Sequence, residues 1–471
     1  MSLLRAGTTL VALVAGVTRP SVAEIESLEV ELLGSYSVTD YDPWVADVWG
    51  FTQDDREFAL LCCGNSLRVL DCTDPANIVL ASLVERPVEQ NDLKDVKVWG
   101  NYAYACLEIG DVLIVDISDP YDAHQVGAIP QWEICWPTPC EIPSNGGCHN
   151  LWIDDRGYLF LAGVHFDTTL IFDLNADPEA PPLVGRYDPG YIHDLYVWNG
   201  RGYVANPDAA ANEWEIVDFS NVQAPVRVSG MTYDSVHYAH ASWPTEDGNY
   251  LLTSDEGEGG HLGVFDIRDP EAPVLVAEYE VGSGSSIHNI MVRGRYAFIA
   301  YYDRGLRVLD LIDPTNPVEV GYYDDDRWDD VSCSFGVYRG IWGVYANNPS
   351  GNVFVSEMCG GGLHVLDFAL DDVAPAPVGD RVRLEVWPNP SSALVEFRAE
   401  LDAPGPVTAE VFDASGRKVR TLADREERPQ GLSIWAWDGR DDDGTPAPVG
   451  VYFARVEQGK RAALQKVAWI R

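Results

Sequence analysis

Apolar residues in this chain come in runs of four to six, most often closed by an aspartate, and no long window repeats at helical spacing. Short runs rich in Val, Leu and aromatics, bounded by Gly, Pro, Asn and Asp, read as β-strands. One run recurs: LRVLD ending at Asp71, LIVD at Asp116, LIFD at Asp173, EIVD at Asp218, GVFD at Asp266, LRVLD at Asp310 and LHVLD at Asp367. The gaps between these positions are 45, 57, 45, 48, 44 and 57 residues. Seven copies at that period predict the four-stranded blades of a β-propeller.

The fourth unit illustrates the pattern. Strands are predicted over His193–Val197, Gly202–Ala205, Trp214–Asp218 and Val226–Met231, with turn residues between them. An Asp-Pro pair often follows the third strand (Asp119-Pro120, Asp177-Pro178, Asp269-Pro270, Asp313-Pro314). Proline has no N–H for a ladder and aspartate caps its own turn, so the repeated acid reads as structural. The segment Leu32–Tyr36 looks like the fourth strands Leu183–Tyr187 and Val320–Tyr323, yet precedes the first unit. The last unit has three strands, ending at Phe368. The N-terminal strand is therefore expected to complete the last blade and hide the edges of the ring.

After Phe368 the composition changes, and residues 371–381 read as a linker. Residues 382–471 carry short alternating strands with regular turn signals, which predicts a small immunoglobulin-like sandwich. The expected fold is all-β: a seven-bladed β-propeller over residues 24–370, then the sandwich. The start of the chain reads as a signal peptide. Arg5, the apolar run Ala6–Val17 and the small-residue site Ser21-Val22-Ala23 predict cleavage before Glu24. A secreted location, or one on an outer-membrane surface, is expected. No other stretch is apolar enough to span a bilayer.

Charge narrows the partners. Asp+Glu number 74 against 32 Lys+Arg, a formal net charge of −42. Such a surface repels phosphate backbones and anionic membranes, so nucleic acid is excluded and an extracellular protein or glycan is expected. Nine cysteines fit an oxidising compartment, and their odd number leaves at least one thiol unpaired. Cys333 and Cys359 share one unit, and Cys135, Cys140 and Cys148 share one insertion, so local disulfides are expected in each group.

One constellation carries chemistry. His149, His193, His240 and His288 each open the first strand of a unit, at spacings of 44, 47 and 48. First strands line a propeller's channel, so these imidazoles are expected to converge at one mouth. The aligned positions elsewhere hold Ala46, Lys94 and Trp342. Asp194, which follows His193, and Asp255 and Glu256 are weaker candidates for the same place. Converging imidazoles with a carboxylate suit Zn²⁺, Cu²⁺ or Fe²⁺ and would support a hydrolase or an oxidoreductase. The competing reading makes them loop tethers, as in tryptophan-aspartate-repeat propellers. The acidic stretches around Asp324–Asp330 and Asp441–Asp443 are candidates for Ca²⁺ or for plain solvated turns. No GxSxG, HExxH or phosphate-binding glycine loop occurs, and no catalytic residue or organic-cofactor site is assigned. The 15 Trp and 22 Tyr are mostly core material, with some expected at a loop face where they would stack on sugars.

The segments "CHNLWIDDRGYLFLAG", "YIHDLYVWNGRGYVAN", "YAHASWPTEDGNYLLTSDE" and "IHNIMVRGRYAFIAYYDRGLRVLDLIDPTNPVEVGYYD" resemble the choice-of-anchor B family, built from LVIVD-type repeats. The likeness spans residues 28 to 370 and is most specific from Cys148 to Tyr323. It implies a secreted propeller attached through a variable C-terminal module, with no established reaction. "VFDASGRKVRTL", "WDGRDDDG" and "GVYFARV" resemble the C-terminal domains of proteins exported by type IX secretion. They are also similar to the immunoglobulin-like domain of flagellar hook-capping proteins. Either likeness implies an export or anchoring module that engages secretion machinery.

Overall fold

The computed structural model describes residues 25–38, 44–85, 92–130, 147–164, 168–282, 284–325, 337–358, 361–368, 383–387, 391, 394–401, 404–413, 418–429, 431–442, 444–448, 450–458 and 461–469. Seven antiparallel sheets follow one another along the chain as the blades of a propeller. Their first strands are Val45–Gln53, Leu93–Trp99, Asn150–Ile153, Asp194–Trp198, Ala239–Pro244, Ile290–Arg293 and Ile341–Tyr345. In the fourth blade the remaining strands are Arg201–Asn206, Glu213–Asp218 and Val226–Met231, within a residue or so of the sequence reading. Middle strands are covered on both faces by neighbouring blades. Ser66–Asp71, for example, is buried at every position, Arg68 included, so these strands show no regular alternation of apolar and polar residues.

The repeated aspartate ends the third strand by capping the turn. Asp116 accepts from the Ser118 N–H at 2.7 Å, Asp218 from Ser220 at 2.8 Å and Asp310 from Ile312 at 2.9 Å. Asp71, Asp173 and Asp266 do the same. The second aspartate caps the next turn: Asp119 accepts from Tyr121 N–H and Asp313 from Thr315 N–H. The first six blades thus leave the third strand through two successive capped turns, the second held by asparagine, Asn221, in the fourth blade.

That turn is also the contact between blades. Each fourth strand carries a bulge, and the residue after it is small: Gly34, Ser82, Gly127, Gly185 and Ser229. A Cβ on Gly34 would lie 1.9 Å from the Pro75 carbonyl oxygen, and one on Gly185 would lie 1.9 Å from that of Val222. Where serine stands instead, its hydroxyl donates to the same kind of carbonyl: Ser82 to Pro120 at 2.8 Å and Ser229 to Pro270 at 2.6 Å. The main chain of one blade rests directly on the outer strand of the one before.

The ring closes as the sequence predicts. Val30–Tyr36 pairs antiparallel with Gly362–Phe368 and supplies the fourth strand of the last blade. One feature was not legible. Ile25–Leu28 forms a fifth strand on the sixth blade, paired with Val318–Asp325. Glu29, at φ 51°, turns the chain from one blade to the next. A single N-terminal segment therefore holds the sixth and seventh blades together.

The disulfide expectation needs correction. Cys148 bonds to Cys106 in the second blade, not to a cysteine of its own insertion. Its backbone explains the choice, since the Cys148 N–H donates to the Leu107 carbonyl at 2.9 Å and docks it on that strand. Cys62 and Cys72 are buried thiols, and Cys135, Cys140, Cys333 and Cys359 lie outside the described residues. The bridge closes a loop of 42 residues. A Cys106→Ala/Cys148→Ala variant is expected to lose about 4 kcal/mol through the unfolded chain's regained freedom. Thermal unfolding of both proteins, with and without reductant, checks this: the parent should fall toward the variant when reduced.

The C-terminal region is an immunoglobulin-like sandwich. One sheet holds Arg383–Trp387, Val395–Leu401 and Gly431–Trp437, and the other holds Gly405–Asp413, Lys418–Arg428, Gly450–Gln458 and Arg461–Trp469. Phe397, Val411, Trp437 and Tyr452 meet in its core. Of its acidic turn, Asp441 accepts from Thr445 N–H and caps the turn, and Asp442 accepts from the N–H of Thr421 in the neighbouring strand. In the other stretch Asp324 pairs with Arg307 at 2.7 Å. Asp326, Asp329, Asp330 and Asp443 lie outside the described residues.

Candidate functional site: a layered central channel

Each first strand begins with a bulge, where two of its residues face one on the second strand. The bulge lies between Val45 and Val48, Leu93 and Val96, Ala239 and Ala241, and Ile341 and Val344. At the histidines it shows as a main-chain bond: His149 N–H to Ala162, His193 to Ala205 and His288 to Ala300. The extra residue swings its side chain into the channel. This is why seven aligned residues form one ring.

Around that ring the sequence-predicted histidines are brought together. Ring centroids lie 4.5 Å apart for His149–His193, 4.3 Å for His193–His240 and 4.2 Å for His240–His288. Trp342 continues at 4.4 Å from His288. The Lys94 ammonium sits 4.9 Å from the ring of Trp44 and 5.9 Å from that of Trp342. Ala46 is small and buried in the core, and Trp44, missed from sequence, fills the space beside Trp342.

The four imidazoles are not equivalent. His288 Nδ1 lies 2.6 Å from the Trp342 carbonyl, and His149 Nδ1 lies 2.8 Å from Glu108. His193 Nδ1 and both nitrogens of His240 are buried without a partner. Burial, reinforced by the neighbouring histidines, pushes His193 well below the usual imidazole range. Burial likewise lowers His240 to about 3, so both rings are neutral at physiological pH. Of the weaker candidates, Glu256 joins the cluster: its Oε2 lies 3.8 Å from His240 Nε2, and its Oε1 accepts from the Tyr302 hydroxyl at 2.5 Å. Asp255 does not. Its carboxylate accepts from the N–H groups of His237 and Tyr238 at 2.8 and 2.7 Å and holds that loop. Asp194 faces the layer beneath. A cavity of about 400 Å³ opens on the cluster, lined by His193, His237, Tyr238, Glu256, Gly257 and Tyr338.

Beneath the histidines lies a charged layer absent from the sequence reading. Lys97 Nζ contacts Asp95 and lies 3.2 Å from Asp47, with all three buried. Burial, partly offset by Lys97, raises the Asp47 carboxyl well above its usual range, whereas Lys97 and three hydrogen bonds outweigh burial and lower Asp95. Burial and the Asp95 charge bring Asp194 up to about 7. The space left here is about 40 Å³, so the channel is a packed core with room for little more than water.

The far end is aromatic. Trp49, Trp152, Tyr196 and Trp243 stack around the axis with centroids 4.6 to 6.0 Å apart. Tyr196 and Trp243 of this group border a second cavity of about 360 Å³, lined also by Trp198, Thr245, Glu246 and Asn347 among others. His193 and Trp198 bracket one first strand, so the two mouths lie about 15 Å apart along it. The sequence signal was the alternation itself, since Tyr196 and Trp198 occupy alternate positions of that strand.

Among the described residues, no helix is long and apolar enough to cross a membrane. A family model of the LVIVD repeat matches residues 92–123 and 284–325, which include Lys94 and His288. A model of the FlgD Ig-like domain matches residues 390–461. No curated protein matches the chain.

Proposed function

From a chain that joins LVIVD repeats to a FlgD-type Ig-like domain, we propose an exported propeller of the choice-of-anchor B kind that binds a neutral glycan at its aromatic mouth. The observation that carries this reading is the cavity lined by the aromatic residues Tyr196, Trp198 and Trp243 beside the polar groups of Thr245, Glu246 and Asn347. Sugar rings offer flat C–H faces edged by hydroxyls, and that combination complements them. Trp198 is 37 % exposed in a protein of net charge −42, which favours an uncharged polysaccharide over an acidic one. The Cys106–Cys148 bridge supports an oxidising compartment. Export through the N-terminal signal, with the sandwich handling type IX sorting or surface anchoring, completes the proposal.

Affinity electrophoresis through gels holding neutral plant and bacterial polysaccharides tests the binding. Trp198→Ala is expected to abolish retardation, a loss of about tenfold or more in affinity. As an exposed position it should shift stability by no more than about 0.5 kcal/mol. Equal retardation of parent and variant, or none on any neutral polysaccharide, would overturn the reading. Cell fractionation of the full chain beside one ending at residue 370 tests the anchoring role: the truncated chain should leave the cell surface.

A further inference from the structure

We propose that His193, His240 and Glu256 form a mononuclear site for a divalent transition-metal ion of the Zn²⁺ class, with an open position facing the cavity at the histidine mouth. One ligand atom from each lies within 4.8 Å of the other two. Two imidazole nitrogens and one carboxylate oxygen are a donor set suited to zinc, and three protein ligands leave a fourth position free. The 3.8 Å between His240 Nε2 and Glu256 Oε2 is what two donors at about 2.1 Å from one ion span at an angle of about 130°.

A second observation points to a ligand independently. His240 is 1 % exposed with neither ring nitrogen partnered, and His193 is 6 % exposed with Nδ1 unpartnered. Buried polar atoms are nearly always satisfied, and leaving one unmade costs about 1–3 kcal/mol. A single cation would take up one nitrogen of each of these two adjacent rings together with one oxygen of Glu256.

The surroundings complete the assignment. The Tyr302 hydroxyl holds Glu256 Oε1 and leaves Oε2 toward His240, an orienting contact typical around metal ligands. The cavity of about 400 Å³ reaches His193 and Glu256 and gives the ion a route in. His288 and His149 flank the site, but the group of mutually close donor atoms includes neither, and their Nδ1 contacts to the Trp342 carbonyl and to Glu108 fix the two rings beside it. The four-histidine cluster thus resolves into two ligands and two neighbours, and the third ligand is Glu256, just past the strand Tyr250–Asp255 that pairs with the strand of His240.

The test uses the untagged chain from Glu24 onward, stripped with chelator and titrated with ZnCl₂ by calorimetry, with bound metal counted by mass spectrometry. The parent should take up close to one Zn²⁺, and Co²⁺ in its place should give visible d–d absorption. Changing an outer partner costs roughly ten- to a hundredfold in metal affinity, so Tyr302→Phe should fall in that range and Glu256→Gln at or beyond its upper end. Glu256 is partly exposed, so this variant should keep the parent's circular dichroism and melting point. His288→Asn should still bind. No Zn²⁺ uptake by the parent, or equal uptake by a folded Glu256→Gln, would overturn the proposal. The inference stands apart from glycan binding: Trp198→Ala should bind Zn²⁺ as the parent does, so either reading can fail alone.

Discussion

Replacing Lys97 with methionine is expected to destabilise the propeller by about 3–5 kcal/mol at neutral pH, the usual cost of stripping one partner from a buried ion pair. The ammonium lies in contact with Asp95, 3.2 Å from Asp47 and 4.5 Å from the Trp49 ring centroid. Methionine fills the volume but leaves Asp95 charged and buried. Asp95 has a lowered carboxyl, so its contribution is present above the ordinary aspartate pKa of 3.8 and fades as pH falls through the folded value. The deficit of Lys97→Met should therefore shrink toward acid. Denaturant unfolding of parent and variant at pH 7 and at about pH 3, below the ordinary aspartate value, reads this directly. An unchanged midpoint at pH 7 would show that the chamber is neutral and does not need its cation.

A single methyl group at Gly185 is expected to act as strongly. The position is not in the left-handed region, so Gly185→Ala asks nothing new of the backbone. Its Cβ would nevertheless sit 1.9 Å from the Val222 carbonyl oxygen, and main chain cannot swing aside as a side chain would. The blades must separate locally or the outer strand must shift, at about 3 kcal/mol, the upper part of the overpacking range. Ser229→Ala, at the equivalent place one blade on, gives the comparison. It removes only the hydroxyl bond to Pro270 and should cost about 1 kcal/mol. A smaller melting-point loss for Gly185→Ala than for Ser229→Ala would refute the account of blade packing.

The repeat made most of this fold legible. The apolar run ending in aspartate marks the third strand because that strand is buried on both faces and must stop at a capped turn, as the six observed caps bear out. Closure by Leu32–Tyr36 was readable because that segment shares the fourth-strand pattern. The strand Ile25–Leu28 was not, since four residues at a solvent-facing edge need no alternation. Histidine phase was visible, but the free nitrogens were not. They are decided by the Trp342 carbonyl and the Glu108 carboxylate, from other blades. The charged chamber had a signal that went unused: Asp47, Asp95 and Lys97 stand inside otherwise apolar first strands, where a charge needs a partner.

The N-terminal segment sets the order in which this molecule can be made. Val30 finds its partner Phe368 only when the seventh blade exists, so a strand made before all seven first strands is among the last to be placed. Until then the sixth and seventh blades lack the strands that Ile25–Leu28 and Val30–Tyr36 supply, and their edges stay open to other chains. Pairing across so much sequence is slow to form. Vectorial synthesis cannot finish the ring blade by blade. A chain held unfolded until its whole length is available loses nothing by waiting.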